Sequence, residues 1–396
     1  MRDAEAGSRK PEAGSGMKPE QMTLLEFCES QQATLRRDVE ALVRHESPST
    51  DKAAVDRCGQ VVAAMLRDAG GDVALLRQDR RGDHVRAEFA GGPRRLLVLG
   101  HFDTVWEVGR IQTMPLREAD GRLYGPGVFD MKASIAVTAQ ALRALRHLSL
   151  NAPTVVVLFT TDEEIGSGTS RAAIEAEARE SQAVLVMEPS LPGGGAKTHR
   201  KGCGEFTLTA HGVSAHAGID PRRGASAIHE LAHQVCTLEA LQDVDRGITV
   251  NAGRIEGGTR ANVIAEFARA VIDVRVPTIA DAVRIDAAFR TISPRNPRVR
   301  LEVAGGVERP PLERTDGVAR LYEQARNVAA ALGRDLAEGG TGGGSDGNFT
   351  AALGVPTLDG LGPEGDGAHA VDEHVVVADL PWRAAFLASL VTGLNG

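Results

Sequence analysis

The sequence predicts an α/β protein, an open sheet covered by helices, with a smaller α+β module inserted into it. Two observations carry that expectation. Through the first half of the chain, short apolar and β-branched runs ending in polar residues alternate with amphipathic stretches of helical length, the rhythm of β-α-β units. After a glycine-rich stretch at residues 191–196 the pattern changes to alternating runs, and helical spacing returns beyond Arg309-Pro310-Pro311.

In chain order, apolar residues recur at helical spacing over 23–44 and 51–69, predicting two amphipathic helices before the first strand. RLLVLG at 95–100 and TVVVLFT at 154–160 predict buried strands with a helix over 133–147 between them. AVLVM at 183–187 predicts a third strand after a helix over 170–179. These runs are apolar without alternation, as strands covered on both faces are. The inserted module has alternating runs at 205–211, 248–255 and 265–276, and helical stretches at 225–238 and 279–291. A helix over 317–332, a glycine-rich loop at 339–347 and a final helix over 380–394 return to the first sheet. The expected organisation is a disordered segment 1–22, a principal domain built from 23–198 and 312–396, and an inserted domain 199–311.

A chain of 396 residues is long enough for two domains with sizeable cores. Its formal charge of −8 argues against the basic surface that nucleic acid requires. No apolar run is long enough to span a bilayer, and the opening MRDAEAGSRKPEAGSGMKPEQ lacks the apolar stretch of a secretory signal. Cys28, Cys58, Cys203 and Cys236 show no C-x-x-C spacing and read as reduced thiols. The expectation is a cytoplasmic protein with neither nucleic acid nor membrane as partner.

The residues suited to chemistry follow the strands. His101 and Asp103, in GHFDTV, come directly after RLLVLG; Glu163 and Glu164 follow TVVVLFTTD; Glu188 follows AVLVM. Asp130 lies in GPGVFDMK and His369 in GPEGDGAHA. Sites in open α/β sheets sit beyond the carboxyl ends of strands, and a mixture of histidine and carboxylate suits zinc. A Glu-Glu pair alone reads as a solvated acidic turn. Two ionised carboxylates sharing a pocket repel unless a cation offsets them, and a metal site resolves that conflict. The loop TGGGSD at 341–346, with Gly343 and Gly344, precedes a helical stretch and can offer backbone N–H groups to an anion. It lacks the lysine of a phosphate-binding loop, which favours a substrate carboxylate over a nucleotide phosphate.

The segments GHFDTV, GPGVFDMK, TDEEIGS, MEPS, VSAHAG and GGGSD, with the late His369, appear in an order that resembles the di-zinc aminoacylase and carboxypeptidase family, above all its glutamate carboxypeptidase group. The resemblance runs from residue 23 to the C-terminus. It implies a phosphorylase/hydrolase-like catalytic domain holding two Zn2+ ions, with Co2+ or Mn2+ as substitutes, and an inserted dimerisation domain. Asp130 would bridge the metals, His101 and Glu188 completing one site and Glu164 and His369 the other. Glu163 would be the general base, and Asp103 would hydrogen-bond the second ring nitrogen of His101. A cis peptide is implied between Asp130 and Met131. Ala133 stands where many relatives have glycine, which implies a packing adjustment.

The same resemblance places His216, in VSAHAG, at the active site of a neighbouring subunit in a homodimer. It assigns Asn262 and Arg275 to the substrate carbonyl or free carboxylate, with Arg309 a weaker candidate for that task. An arginine fork binds a carboxylate through two hydrogen bonds. The implied activity is cleavage of the amide bond of a small dipeptide or N-acyl amino acid bearing a C-terminal carboxylate. The alternatives are a desuccinylase or deacetylase of an acylated amino acid, and a metal-binding homologue without catalysis. A glutamate retained at position 163 beside the ligands speaks against the last.

Overall fold

The three apolar runs form the middle of a six-stranded sheet. In the computed structural model, which describes residues 23–395, Gly92–His101 pairs in parallel with Pro153–Thr160 on one side and Ala183–Val186 on the other. Alternate residues face opposite layers. Leu96, Val98, Val155 and Val157 pack with the helices Lys52–Asp68, Ala133–His147 and Asp379–Gly393, whereas Leu97, Leu99, Val156 and Leu158 pack with Ile174, Ala178 and Phe349. Both faces are covered, so the strands carry no polar alternation. Truncating Leu158, which is fully buried, to alanine would cost about 2–5 kcal/mol through lost burial and the cavity left.

The disorder expected for residues 1–22 lies outside the described residues. The single helix expected over 23–44 is two, Leu24–Ser30 and Gln32–Arg44, separated at Gln31. Thr23 and Glu26 form a reciprocal cap at the start of the first, and Asp51 caps Lys52–Asp68 through the Ala54 N–H. Two further strands, Asp72–Leu76 and His84–Phe89, extend the sheet antiparallel beyond Pro153–Thr160. Their charged residues break the apolar pattern: on His84–Phe89, one place in from the sheet edge, Arg86 and Glu88 join Glu177 and Arg95 in ion pairs.

The inserted module is a four-stranded antiparallel sheet in the order Thr249–Gly257, Phe267–Val276, Gly202–His211, Arg300–Arg309. Helices Ala227–Glu239 and Ile279–Arg290 cover one face, packing Leu231, Ile285 and Phe289 on Phe206, Leu208 and Ile272. Arg300–Arg309 was not anticipated, because its charges and the Gly305-Gly306 pair break the alternation. The chain leaves the larger body and returns side by side: Arg200 and Leu312 exchange two backbone hydrogen bonds of 2.9 and 3.0 Å. Among the described residues no helix is long and apolar enough to cross a membrane.

Candidate dinuclear metal site

His101 is the last residue of Gly92–His101; Glu163 and Glu164 lie on a turn just beyond Pro153–Thr160, and Glu188 lies just beyond Ala183–Val186. Neighbouring strands run about 4.8 Å apart, so side chains at the carboxyl ends of adjacent parallel strands converge. Asp130 comes from the turn that opens the helix Ala133–His147. Gly127 starts that turn at φ 70°, where a Cβ would stand 2.5 Å from the Thr104 side chain, so the position requires glycine. The Asp130–Met131 peptide is cis. His369 reaches in from a loop near the C-terminus.

These residues form two sets that meet at Asp130. On one side His101 Nε2 lies 3.1 Å from Asp130 Oδ1 and 3.4 Å from Glu188 Oε1. On the other, His369 Nε2 lies 3.1 Å from Glu164 and 3.5 Å from Asp130 Oδ2. Within each set every ligand atom is within 4.8 Å of the others. A tetrahedral ion with bonds of about 2.1 Å spaces its ligand atoms about 3.4 Å apart, so both sets have the dimensions of a zinc site. The donors, two imidazoles and three carboxylates, suit a borderline cation, and the residues therefore fit a metal pair bridged by Asp130.

Electrostatics agree with that fit. Burial pushes the Glu164 carboxyl up from the usual carboxylate range, against the hydrogen bond from His369. Burial does the same to Glu188, but the Arg200 guanidinium and His101 overcome it and hold that carboxyl well below the usual range. For His101, burial opposes the imidazolium, yet hydrogen bonding to Asp103, Asp130 and Glu188 raises its proton affinity well above the usual value. His369 is raised to about 9, chiefly by Glu164. Protons thus stand where a cation's charge fits.

His101 Nδ1 is 3.0 Å from the Asp103 backbone carbonyl and 3.4 Å from its carboxylate, so the carbonyl is the nearer acceptor for the second ring nitrogen. The Asp103 carboxylate also accepts from Ser49 at 2.7 Å and from the Glu163 and Glu164 N–H groups at 3.4 and 3.3 Å. Asp103 therefore ties two strand ends together.

Glu163 sits beside the ligands and outside both sets. Burial pushes its carboxyl well above the usual range, with the Arg309 guanidinium opposing. Arg309 was expected to face a substrate carboxylate; in the structure its fork is already engaged, donating to Glu163 at 2.7 Å and Ser167 at 2.9 Å, with Asp346 at 3.5 Å. Burial explains the difference, because a guanidinium this enclosed must find anionic partners within the protein. Arg275 is likewise committed, its fork gripping Asp273 through bonds of 3.0 and 2.8 Å while it also contacts Cys203.

His216 and Asn262 lie together in the module: the His216 segment bridges Val263, and the Asn262 carbonyl accepts the Ala217 N–H at 2.9 Å. His216 is exposed, its Nδ1 accepting from Gly218 and Ile219 at 3.2 and 3.1 Å. No hydrogen bond or ion pair among the described residues joins either one to the ligand cluster. In the glycine loop, the carbonyls of Gly343 and Gly344 accept from Arg200, so this side of the loop is bound within the chain. A Cβ on Gly344 would stand 2.6 Å from Arg309 Cδ, so that glycine makes room for the arginine stem. A cavity of about 620 Å3 opens next to Arg309 between the two bodies, lined also by Gly166, Ser167, Cys203, Asp273 and Phe349; none of the five ligands lines it.

Three contributors escaped the sequence reading. Arg200 donates to Glu188 Oε2 at 3.1 Å and to both Asp359 oxygens at 2.8 and 2.7 Å, leaving Glu188 Oε1 toward His101. Asp359 directly follows the two-residue strand Thr357–Leu358, so the strand-end rule applies to it, but so short a strand has no periodicity to detect. Glu373, four residues past His369, carries no signal of its own.

The fold and the paired sites define a metal-dependent hydrolase of the α/β class. The sequence matches Peptidase family M20/M25/M40 over residues 97–393, and the chain belongs to that family of dinuclear metal-dependent peptidases and amidohydrolases. It is similar to carboxypeptidase G2 of Pseudomonas sp. (strain RS-16), with 29% identity over 384 residues that cover 94% of this chain and 92% of that one. It is also similar to succinyl-diaminopimelate desuccinylase of Xanthomonas oryzae pv. oryzae, with 32% identity across 85% of this chain and 93% of that one. Among solved structures, aminopeptidase PepT from Bacillus cereus superposes with a TM-score of 0.76 at 22% identity, covering 92% of this chain and 99% of that one, a likeness of fold alone.

Proposed function

We propose that the chain is a two-zinc hydrolase cleaving the amide bond of a small dipeptide or N-acyl amino acid with a free C-terminal carboxylate, in the manner of a glutamate carboxypeptidase. The observation that carries this reading is Asp130, whose two oxygens address two separate histidine-carboxylate sets while Glu163 stands beside both. Bound zinc ions would polarise the scissile carbonyl and lower the pKa of bound water toward about 7. Glu163 accepts the proton of the attacking water and returns it to the leaving amine; its burial raises its proton affinity, the direction that task requires. Arg309 opposes the shift and keeps the base from being protonated too firmly.

The remaining roles require a second copy. No hydrogen bond or ion pair among the described residues joins His216 to the ligand cluster of its own chain, and in a homodimer it would steady the oxyanion of the neighbouring one. Pairing is supported by the unpartnered edge strand Thr249–Gly257 and by the exposure of Ile255 at 60% and Ile219 at 80%. Asn262 would hold the substrate carbonyl, and Arg275 would exchange Asp273 for the substrate carboxylate. The free thiols of Cys28, Cys58, Cys203 and Cys236 support a cytoplasmic setting.

The desuccinylase likeness supports a second reading, removal of a succinyl or acetyl group from an acylated amino acid. A panel of N-acyl glutamates, aspartates, basic amino acids and dipeptides, assayed with added zinc, separates the two. Turnover of glutamyl conjugates supports the first, and turnover confined to succinylated or acetylated amino acids supports the second. A chain with both metals bound that hydrolyses none of the panel overturns both.

A further inference from the structure

Glu373 is 1% exposed, yet its carboxylate accepts four N–H groups. Oε1 takes those of Phe129 at 2.9 Å and Asp130 at 3.0 Å; Oε2 takes those of Gly127 at 2.8 Å and the Trp106 indole at 2.8 Å. Both oxygens face donors, so the ionised form is the one that matches its surroundings, although burial pushes the carboxyl pKa up.

The donors come from segments that carry metal ligands. Trp106 lies five residues beyond His101, Gly127 and Phe129 lie three and one residues before Asp130, and Glu373 itself lies four residues beyond His369. Backbone pairing holds it in register: His374 sits opposite Tyr124, and the Gly125 N–H donates to the Glu373 carbonyl at 3.3 Å. One carboxylate therefore joins the three loops bearing His101, Asp130 and His369, and Asp130 is the residue on which both ligand sets depend.

Resting on the dinuclear reading above, we propose that Glu373 is a positioning residue whose four-donor clasp sets the geometry of the two metal sites and hence their affinity. It touches neither metal nor substrate. Hydrogen-bonded partners behind metal ligands commonly change metal affinity by about 10- to 100-fold when removed.

The test is competition between the zinc-loaded full-length protein and a chromophoric chelator, with zinc per chain measured at each chelator concentration. Glu373→Gln keeps the shape but turns an NH2 group toward one pair of donors. It is expected to surrender zinc at about 10- to 100-fold lower chelator concentration than the native chain, at temperatures where both remain folded by circular dichroism. Equal retention of both zinc ions by this variant and the native chain overturns the proposal. Should Glu373→Gln fail to fold, Trp106→Phe removes one donor and leaves the carboxylate. It is expected to weaken zinc retention by about two- to tenfold, the worth of one hydrogen bond, and native retention there overturns the proposal equally. A native chain that holds no zinc pair would instead remove the dinuclear reading and this role with it.

Discussion

The Arg309 guanidinium, at the end of the module's edge strand, donates at 2.7 Å to the carboxylate of Glu163, which belongs to the other body. The pair tunes the proton affinity of Glu163, the proposed base, because burial presses its carboxyl upward and Arg309 is the main group pressing it down. Removing the cation raises the proton affinity further. Arg309→Ala is therefore expected to move the acidic limb of the kcat/KM profile to higher pH, and Arg309→Lys, which keeps the charge but loses the fork, to move it less. An unmoved limb in the alanine variant would show that the pair does not tune the base.

Glu163→Gln preserves shape and removes the proton acceptor. Its kcat should fall by about 10²- to 10⁴-fold while two metals per chain remain. Loss of metal together with activity would mean that Glu163 is a ligand and that the roles of Glu163 and Glu164 are exchanged.

Asp130 belongs to both ligand sets, so Asp130→Ala should empty both sites rather than one. Elemental analysis after dialysis measures this directly. A variant that keeps one metal at native affinity contradicts the bridge.

His369, raised to about 9 by Glu164, is an imidazolium at neutral pH in the metal-free chain and must lose that proton to become a ligand. Metal affinity is expected to rise with pH up to about 9, with proton uptake by buffer visible when calorimetry at pH 7 is repeated in buffers of different ionisation enthalpy. The same shift has the opposite sense for the metal-free fold. The protonated ring contributes stability in full below its ordinary value of 6.5, and that contribution is lost as pH rises through about 9. Binding heats that do not depend on the buffer would contradict the assignment.

Sharing of sites between subunits has its own signature. Glu163→Gln and His216→Ala homodimers should each be nearly inactive. Co-expressed in equal amounts, they should form about half mixed dimers, each with one site combining an intact Glu163 and the partner's intact His216. Total activity should recover to about a quarter of native. Mixed dimers no more active than their parents would mean that His216 acts within its own chain or not at all.

Much of the candidate site was legible because it depends on local pattern. His101, Glu163, Glu164 and Glu188 each follow an apolar run, and adjacent parallel strands bring such ends together whatever the rest of the chain does. Strands at or next to a sheet edge were not legible: His84–Phe89, one place in from the edge, and the edge strand Arg300–Arg309 carry charges because one side of each meets solvent or ion-pair partners. Nothing in the sequence signals that the forks of Arg275 and Arg309, which the resemblance assigns to substrate, hold carboxylates of this chain in the structure.

The sequence by itself determined the α/β class, the principal helices and the residue types able to hold metal, since periodicity and side-chain chemistry are properties of a residue and its near neighbours. Only the tertiary structure decided which groups meet. Arg309 and Glu163 are 146 residues apart in the chain, and Glu373 lies 246 residues from Gly127. Contacts of about 3 Å across such separations carry no mark in either segment, because they are set by the packing that closes the intervening chain.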